Sequence, residues 1–320
     1  MKAVVFNGEL RLAECEKPIP LHGEALIRVI LAGICNTDIE ITKGYNNYTG
    51  ILGHEVVGIV EDINGSDKSL LGKRVVTEIN FGCRNCSWCA SGQYNHCSDR
   101  YALGIKRKNG CFAEYFTAPL DVLHEVACGV SDEQAVFTEP LAAALEIVQQ
   151  HHIKPGDSIL VIGDGKLGII IALALNALNF DITLVGKHKS KLDIALSQGL
   201  KAVLLHDVKP ERTWDVVVEV TGAVSGFETA LALVKPRGVI VLKSTVNSGK
   251  ELNLTPIVVD EITVLGSRCG PFEPALRLLE TGKIDFTQII SEVYPADKAV
   301  EAINKSKEKG VLKVLIDFTR

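Results

Sequence analysis

Short runs of alternating hydrophobic and polar residues, broken repeatedly by glycine, fill the first 143 positions. They predict strands over 3–6, 24–31, 56–62, 74–77 and 113–117. That spacing suggests a small β-barrel or sandwich. From about residue 144 the rhythm changes, and apolar strand-like runs begin to alternate with helical stretches. Strands are predicted over 158–162, 181–185, 202–205, 215–220, 239–243 and 263–265, with helices over 166–178, 190–198 and 224–233. Buried runs alternating with helices imply βαβ units and a parallel sheet. Helices over 273–280 and 298–306 follow. A closing strand over 313–316 is expected to return to the first domain.

Composition narrows the class. A chain of 320 residues is long enough for two medium domains. With 47% hydrophobic and 23% charged residues it has the balance of a soluble enzyme. Its net charge of -5 lacks the basic footprint of a nucleic-acid binder. The start, Met1-Lys2-Ala3-Val4-Val5-Phe6, reads as a strand rather than a secretion signal. The apolar runs are too short or too broken by glycine to span a bilayer. The expectation is a cytoplasmic protein with no nucleic-acid or membrane partner.

The strand over 158–162 runs into Gly163-Asp164-Gly165-Lys166-Leu167-Gly168 and then a helix. In this context G-x-G-x-x-G is a dinucleotide fingerprint. The first glycine permits a tight turn, the second lets backbone approach a pyrophosphate, and the third lets helix pack on strand. The helix N-terminus then receives the phosphates. NAD enzymes place an acid at the end of the next strand, to hold the adenosine ribose. Here that strand ends Gly186-Lys187-His188-Lys189. Glycine leaves room for a 2′-phosphate and the lysines can pair with it, so NADP(H) is expected over NAD(H). Thr221, Gly222, Ser244 and Arg268 fall at or after the carboxyl ends of later strands, where such sheets bind ligands. A structural ion pair competes with a cofactor role for Arg268.

Nine cysteines in a cytosolic chain point to metal or catalysis before disulfides. Cys83, Cys86, Cys89 and Cys97 fall within 15 residues, a spacing suited to a closed, structural tetrahedral Zn²⁺ site. A second set is less local. Gly53-His54-Glu55 follows Cys35-Asn36-Thr37-Asp38, with 18 residues between Cys35 and His54. A thiolate, an imidazole and a carboxylate supply three ligands, and a catalytic zinc leaves its fourth position open. The scattered Cys15, Cys111, Cys128 and Cys269 read as small buried hydrophobes.

Together these motifs resemble the medium-chain dehydrogenase/reductase superfamily, in its zinc-dependent alcohol, sorbitol and threonine dehydrogenase branch. Gly110-x-Phe112-Ala113-Glu114-Tyr115 and Glu139-Pro140-Leu141 extend the resemblance over nearly the whole chain. It implies an α/β protein: a GroES-like β-barrel catalytic domain, residues 1–143 and 269–320, split by a doubly wound Rossmann domain, residues 144–268. It implies that Cys35 and His54 hold the catalytic zinc, with Glu55 near or alternating, and that Glu139 ligates directly or through water. Asp38 would orient the histidine ligand, and Thr37 would pass the substrate proton toward the nicotinamide ribose. The relay histidine of some relatives is replaced by Glu40, which is either a relay end or a solvated acid. The 35–54 stretch is shorter than in many relatives, which implies a different pocket rim near Tyr45 and Tyr48.

The resulting expectation is an enzyme with two zinc ions per chain. It interconverts an alcohol and its aldehyde or ketone by hydride transfer to or from NAD(P), as a homodimer or homotetramer. An NAD-linked polyol or L-threonine dehydrogenase is the alternative within the class. A non-catalytic NADPH-binding or redox-sensing protein is the alternative outside it.

Overall fold

The computed structural model describes residues 1–245 and 252–320. The chain divides into two compact units, Met1–Glu139 with Phe286–Arg320, and Pro140–Asp285.

The first unit is organised around the strand Glu24–Gly33, whose run EALIRVILAG is buried along nearly its whole length. A mostly apolar run, interrupted within the strand by Arg28, suits a strand covered on both faces. It pairs antiparallel with Glu55–Ile63, with Tyr115–Pro119 and with the returning strand Lys313–Asp317. Ile290–Pro295 adds itself parallel to that returning strand. Register matters at one point above all: Gly33 lies opposite Glu55, and a Cβ on Gly33 would come within 2.5 Å of Glu55 Oε2. Ile27, Val29, Phe112, Phe116, Val314 and Ile316 pack into one core. Residues from both ends of the chain therefore share it.

The second unit holds a six-stranded, all-parallel sheet. Its order is Lys201–Leu204, Asp181–Gly186, Ser158–Ile162, Trp214–Glu219, Val234–Leu242, Thr263–Gly266. Counted along the sequence this is 3-2-1-4-5-6, the Rossmann order. The two central strands, Ser158–Ile162 and Trp214–Glu219, carry near-continuous apolar runs.

The unit boundaries differ from the expected 143 and 269. The helix Thr138–Gln150 runs across the expected boundary at 143, with Glu139 as an acid of its first turn, and the first crossing falls within that turn. After the sheet, the chain stays with the second unit to Asp285. Gly270 sits against the backbone of that helix, where a Cβ would meet the Ala142 carbonyl at 1.9 Å. The amphipathic helix Phe272–Glu280 buries Phe272, Ala275, Leu276, Leu278 and Leu279. Among the described residues no helix is long and apolar enough to cross a membrane.

Candidate active site

Cys35 caps the short helix Asn36–Ile41, and the Cys35 N–H donates to Asp38 Oδ2 at 2.9 Å. Asp38 sits three residues in, where a carboxylate closes a capping arrangement. The other Asp38 oxygen accepts from the Gly53 N–H at 3.1 Å and faces His54 Nδ1 at 3.4 Å. One fully buried carboxylate thus fixes the thiol's backbone and the turn before the histidine, and faces the imidazole. Gly53 is required in that turn: its φ is +96°, and a Cβ would lie 2.3 Å from the Phe112 ring.

The outcome is a cluster in which one ligand atom each from Cys35, His54 and Glu55 lies within 4.8 Å of the others. His54 Nδ1 has no hydrogen-bond partner of good geometry, although it is buried. With Nδ1 turned to Asp38, Nε2 is left for the cluster. Burial works against a charged ring, yet the charges of Asp38 and then Cys35 raise the His54 pKa well above the ordinary histidine value. A cluster built of sulfur, nitrogen and oxygen donors at this spacing fits a zinc ion.

Glu55 has a partner that the sequence reading missed. Lys313, from the returning strand, forms an ion pair with Glu55 Oε2, with side-chain exposures of 1% and 2%. Thr37 places Oγ1 3.7 Å from Cys35 Sγ. Glu139 opens the helix Thr138–Gln150 and acts on Lys313 through its charge, but it does not join the three-residue cluster. The geometry thus brings Glu55 rather than Glu139 into immediate contact with the donor set. Glu40 is paired with Lys43 at 2.9 Å, which matches the solvated-acid reading. Tyr48 is buried, with its hydroxyl 2.9 Å from the Ile51 and Lys108 carbonyls, while Tyr45 is exposed.

The four-cysteine lobe closes as its spacing predicts: Cys83, Cys86, Cys89 and Cys97 also bring one Sγ each within 4.8 Å of one another. The Cys83 N–H points at Cys97 Sγ and is the main influence holding that thiol down at about 7. The lobe has short helices and little core. Gly82 is needed because a Cβ there would meet Cys89 Sγ and Tyr94 at 2.7 Å.

In the second unit the fingerprint forms the turn from Ser158–Ile162 into the helix Lys166–Ala177. Gly163 has φ +132° and would clash with the Val220 carbonyl, and Gly168 would clash with the Gly163 carbonyl. Gly165 has nothing within 4 Å of a Cβ position, an open space at the helix N-terminus. The space beside Gly186 is different. A Cβ there would lie 2.4 Å from Asp164 Cβ and 2.6 Å from Asp164 Oδ2. The expectation that Gly186 leaves room for a phosphate is therefore corrected, because a carboxylate from the fingerprint itself fills that room. Lys189 is paired with Asp193, and Lys187 and His188 are exposed but donate their N–H groups to Asp164.

Thr221 is held by Glu219, and the Gly222 N–H donates to Ser244 Oγ at 2.8 Å, so these three line the ends of neighbouring strands. Lys243 Nζ donates to the carbonyls of Ala143 and Arg268 and to Ser267 Oγ. That knot gives the Arg268 backbone a structural task.

Residues 22–127 match the family model described as alcohol dehydrogenase GroES-like domain, and residues 165–281 match zinc-binding dehydrogenase. A sorbitol dehydrogenase of Halalkalibacterium halodurans is 31% identical across 99% of this chain and 100% of its own length. The chain belongs to the zinc-dependent medium-chain dehydrogenases. Two solved structures share the fold of this dehydrogenase. A short chain alcohol dehydrogenase of Escherichia coli CFT073 with NADH has a TM-score of 0.92 at 25% identity, covering 99% of both chains. A putative zinc-binding dehydrogenase of Sinorhizobium meliloti 1021 bound to NADP has 0.90 at 27% identity, covering 99% of this chain and 98% of that one. The dehydrogenase accordingly pairs a GroES-like unit with a Rossmann unit. It is an oxidoreductase that uses zinc and NAD(P) to interconvert an alcohol and its carbonyl compound.

Proposed function

We propose that this dehydrogenase acts on a polyol and holds two zinc ions, one at Cys35, His54 and Glu55 and one at the four-cysteine lobe. The observation that carries the reading is the cluster of three different donor types, with His54 and Glu55 buried and Cys35 half-buried, beside the Thr37 hydroxyl. It is supported by the similarity to a sorbitol dehydrogenase. A closed set of four thiolates serves a structural ion, whereas three ligands leave a position open for a substrate oxygen.

When bound, zinc supplies Lewis-acid polarisation of the substrate oxygen and the nicotinamide takes or gives the hydride. The chain's own residues prepare that chemistry. Asp38 holds the Cys35 and Gly53 backbones and faces the His54 ring, which sets the two ligands side by side. Lys313 offsets the charge of Glu55, which keeps a cluster of two anionic donors from becoming too negative. The Thr37 hydroxyl, next to the cluster, takes the substrate's proton and passes it outward.

The domains are proposed as residues 1–139 with 286–320 and residues 140–285, following the compact units. The enzyme is further proposed to be cytosolic and homo-oligomeric, with no nucleic-acid or membrane partner. Exposed Leu254, Val258, Val259 and Val264, on or beside the sheet's edge strand, support contact with a second copy. The expected NADP preference loses one premise, since Asp164 occupies the space beside Gly186.

The test is a substrate panel on zinc-replete protein with either dinucleotide. Vicinal polyols should exceed monohydric alcohols and L-threonine by about tenfold or more in kcat/KM. Equal rates with simple alcohols, or preference for threonine, would refute the polyol assignment.

A further inference from the structure

The fingerprint loop of this dehydrogenase carries an acid between its first two glycines, and that acid reaches the end of the neighbouring strand. Asp164 is 8% exposed as a residue, with its side chain retaining 12%. Its Oδ2 accepts from the Lys187 N–H and the His188 N–H, both at 2.7 Å, and meets His188 Nδ1 at 2.9 Å. Oδ1 accepts from no described group. Burial works to raise the Asp164 pKa, but the His188 and Lys187 contacts outweigh it and hold the carboxyl below its usual range. The group is therefore an anion at neutral pH, with one oxygen anchored and the other without a donor among the described residues.

Rossmann sheets that bind NAD place such a carboxylate at the end of the second strand, as an acceptor for the adenosine ribose hydroxyl. Here the strand Asp181–Gly186 ends in glycine. The glycine is what admits the foreign carboxylate, since any Cβ at 186 would overlap Asp164. Position 186 and position 164 are complementary: the loop carboxylate stands within 2.6 Å of where a side chain at the strand end would begin. A 2′-phosphate at this place would face a fixed negative charge at close range. Like-charge juxtaposition in a partly desolvated site is among the stronger devices for rejecting a ligand. The lysines that argued for a phosphate offer less. Lys189 is engaged with Asp193, and the Lys187 backbone is turned to the same carboxylate that would repel the phosphate.

We infer that Asp164 is the cofactor-selecting residue, accepting the adenosine ribose 2′-hydroxyl through Oδ1 and excluding the 2′-phosphate, so that the enzyme takes NAD(H) over NADP(H). The inference rests on the dehydrogenase reading and deepens it.

The experiment is fluorescence titration of the zinc-replete protein with NADH and with NADPH. It is done on the native chain, on Asp164→Gly, and on the exchange variant Asp164→Gly with Gly186→Asp. Native protein should bind NADH at least about tenfold tighter than NADPH, the scale of one rejected like-charge contact. Asp164→Gly should bring the two affinities within about threefold of each other. The exchange variant, which returns the carboxylate to the strand end, should restore the NADH preference. Replacing Lys187 and Lys189 together by alanine should leave the native ratio in place. Tighter native binding of NADPH overturns the inference, even where Asp164→Gly does not fold. So does an unchanged ratio in folded Asp164→Gly. In both cases the dehydrogenase reading survives, because a dinucleotide still binds. Binding of neither dinucleotide would overturn both.

Discussion

Lys313→Met should destabilise the first unit far more than an ordinary surface change. Lys313 and Glu55 form an ion pair with side-chain exposures of 1% and 2%, bridging 258 positions of sequence. Removing the cation leaves a carboxylate buried opposite Gly33 with no room to turn away, since Glu55 Oε2 already fills the space beside that glycine. Breaking a buried pair on one side costs about 3–5 kcal/mol. At about 2–4 °C per kcal/mol for a unit of this size, the Tm should fall by about 6–20 °C. The assay is thermal and urea unfolding of chelator-treated protein, with the zinc-replete form alongside. The loss should be smaller with zinc bound, because the metal supplies part of the missing positive charge. Pairing Lys313→Met with Glu55→Gln should recover much of the stability, since both charges then leave together. A loss below about 1 kcal/mol in the metal-free single variant would refute the reasoning, because surface pairs are worth no more than that.

Two further predictions concern chemistry and pH. Thr37→Val should lower kcat by about 10²–10⁴-fold, the usual worth of a positioned proton-transfer group, with zinc content unchanged and Thr37→Ser largely active. Equal activity of the valine variant would remove Thr37 from the proton path. Asp215, in the second unit, is pushed up in pKa by burial. The hydrogen bonds from Lys235 and Ser158 outweigh that and hold it at about 2. Because its folded pKa lies below its ordinary value of 3.8, it stabilises the fold above about pH 4, and that contribution disappears as pH falls toward 2. Asp215→Asn should therefore be less stable at neutral pH and show a shallower acid loss between pH 4 and 2 in pH-dependent urea unfolding. An unchanged acid limb would contradict the assignment.

The parts of this molecule that were legible in sequence are those whose physics is local. The fingerprint glycines, the four closely spaced cysteines and the pairs Cys35–Asp38 and Gly53–His54 each announce themselves within a few residues. The alternation of apolar runs with helices likewise gave the Rossmann order its strands. What stayed hidden depends on distant segments. Lys313 sits in an apolar strand, and nothing within that strand says that its ammonium meets Glu55. Asp164 looks like a filler position in a glycine motif until the fold brings it against Gly186. The helix Thr138–Gln150 spans the point near residue 144 where the rhythm changes, so neither pattern shows its full length. The strand Ile290–Pro295 was missed because its burial is only partial and it ends in proline. The expected start at residue 239 was late because the strand Val234–Leu242 passes through Arg237 at φ +62° and a register shift, which blur its periodicity.

The central claim is that the Cys35–His54–Glu55 cluster holds the zinc that the reaction needs, separately from the four-cysteine lobe. The most direct measurement is the metal content of Cys35→Ser and Cys97→Ser by elemental analysis, with turnover measured on the same samples. Native protein should carry about two zinc ions per chain, given one open and one closed site. Cys35→Ser should lose one of them together with its activity while keeping a native Tm within a few degrees. Cys97→Ser should lose the other and make the lobe sensitive to proteolysis. Full turnover in Cys35→Ser, or two zinc ions retained in it, would contradict the account.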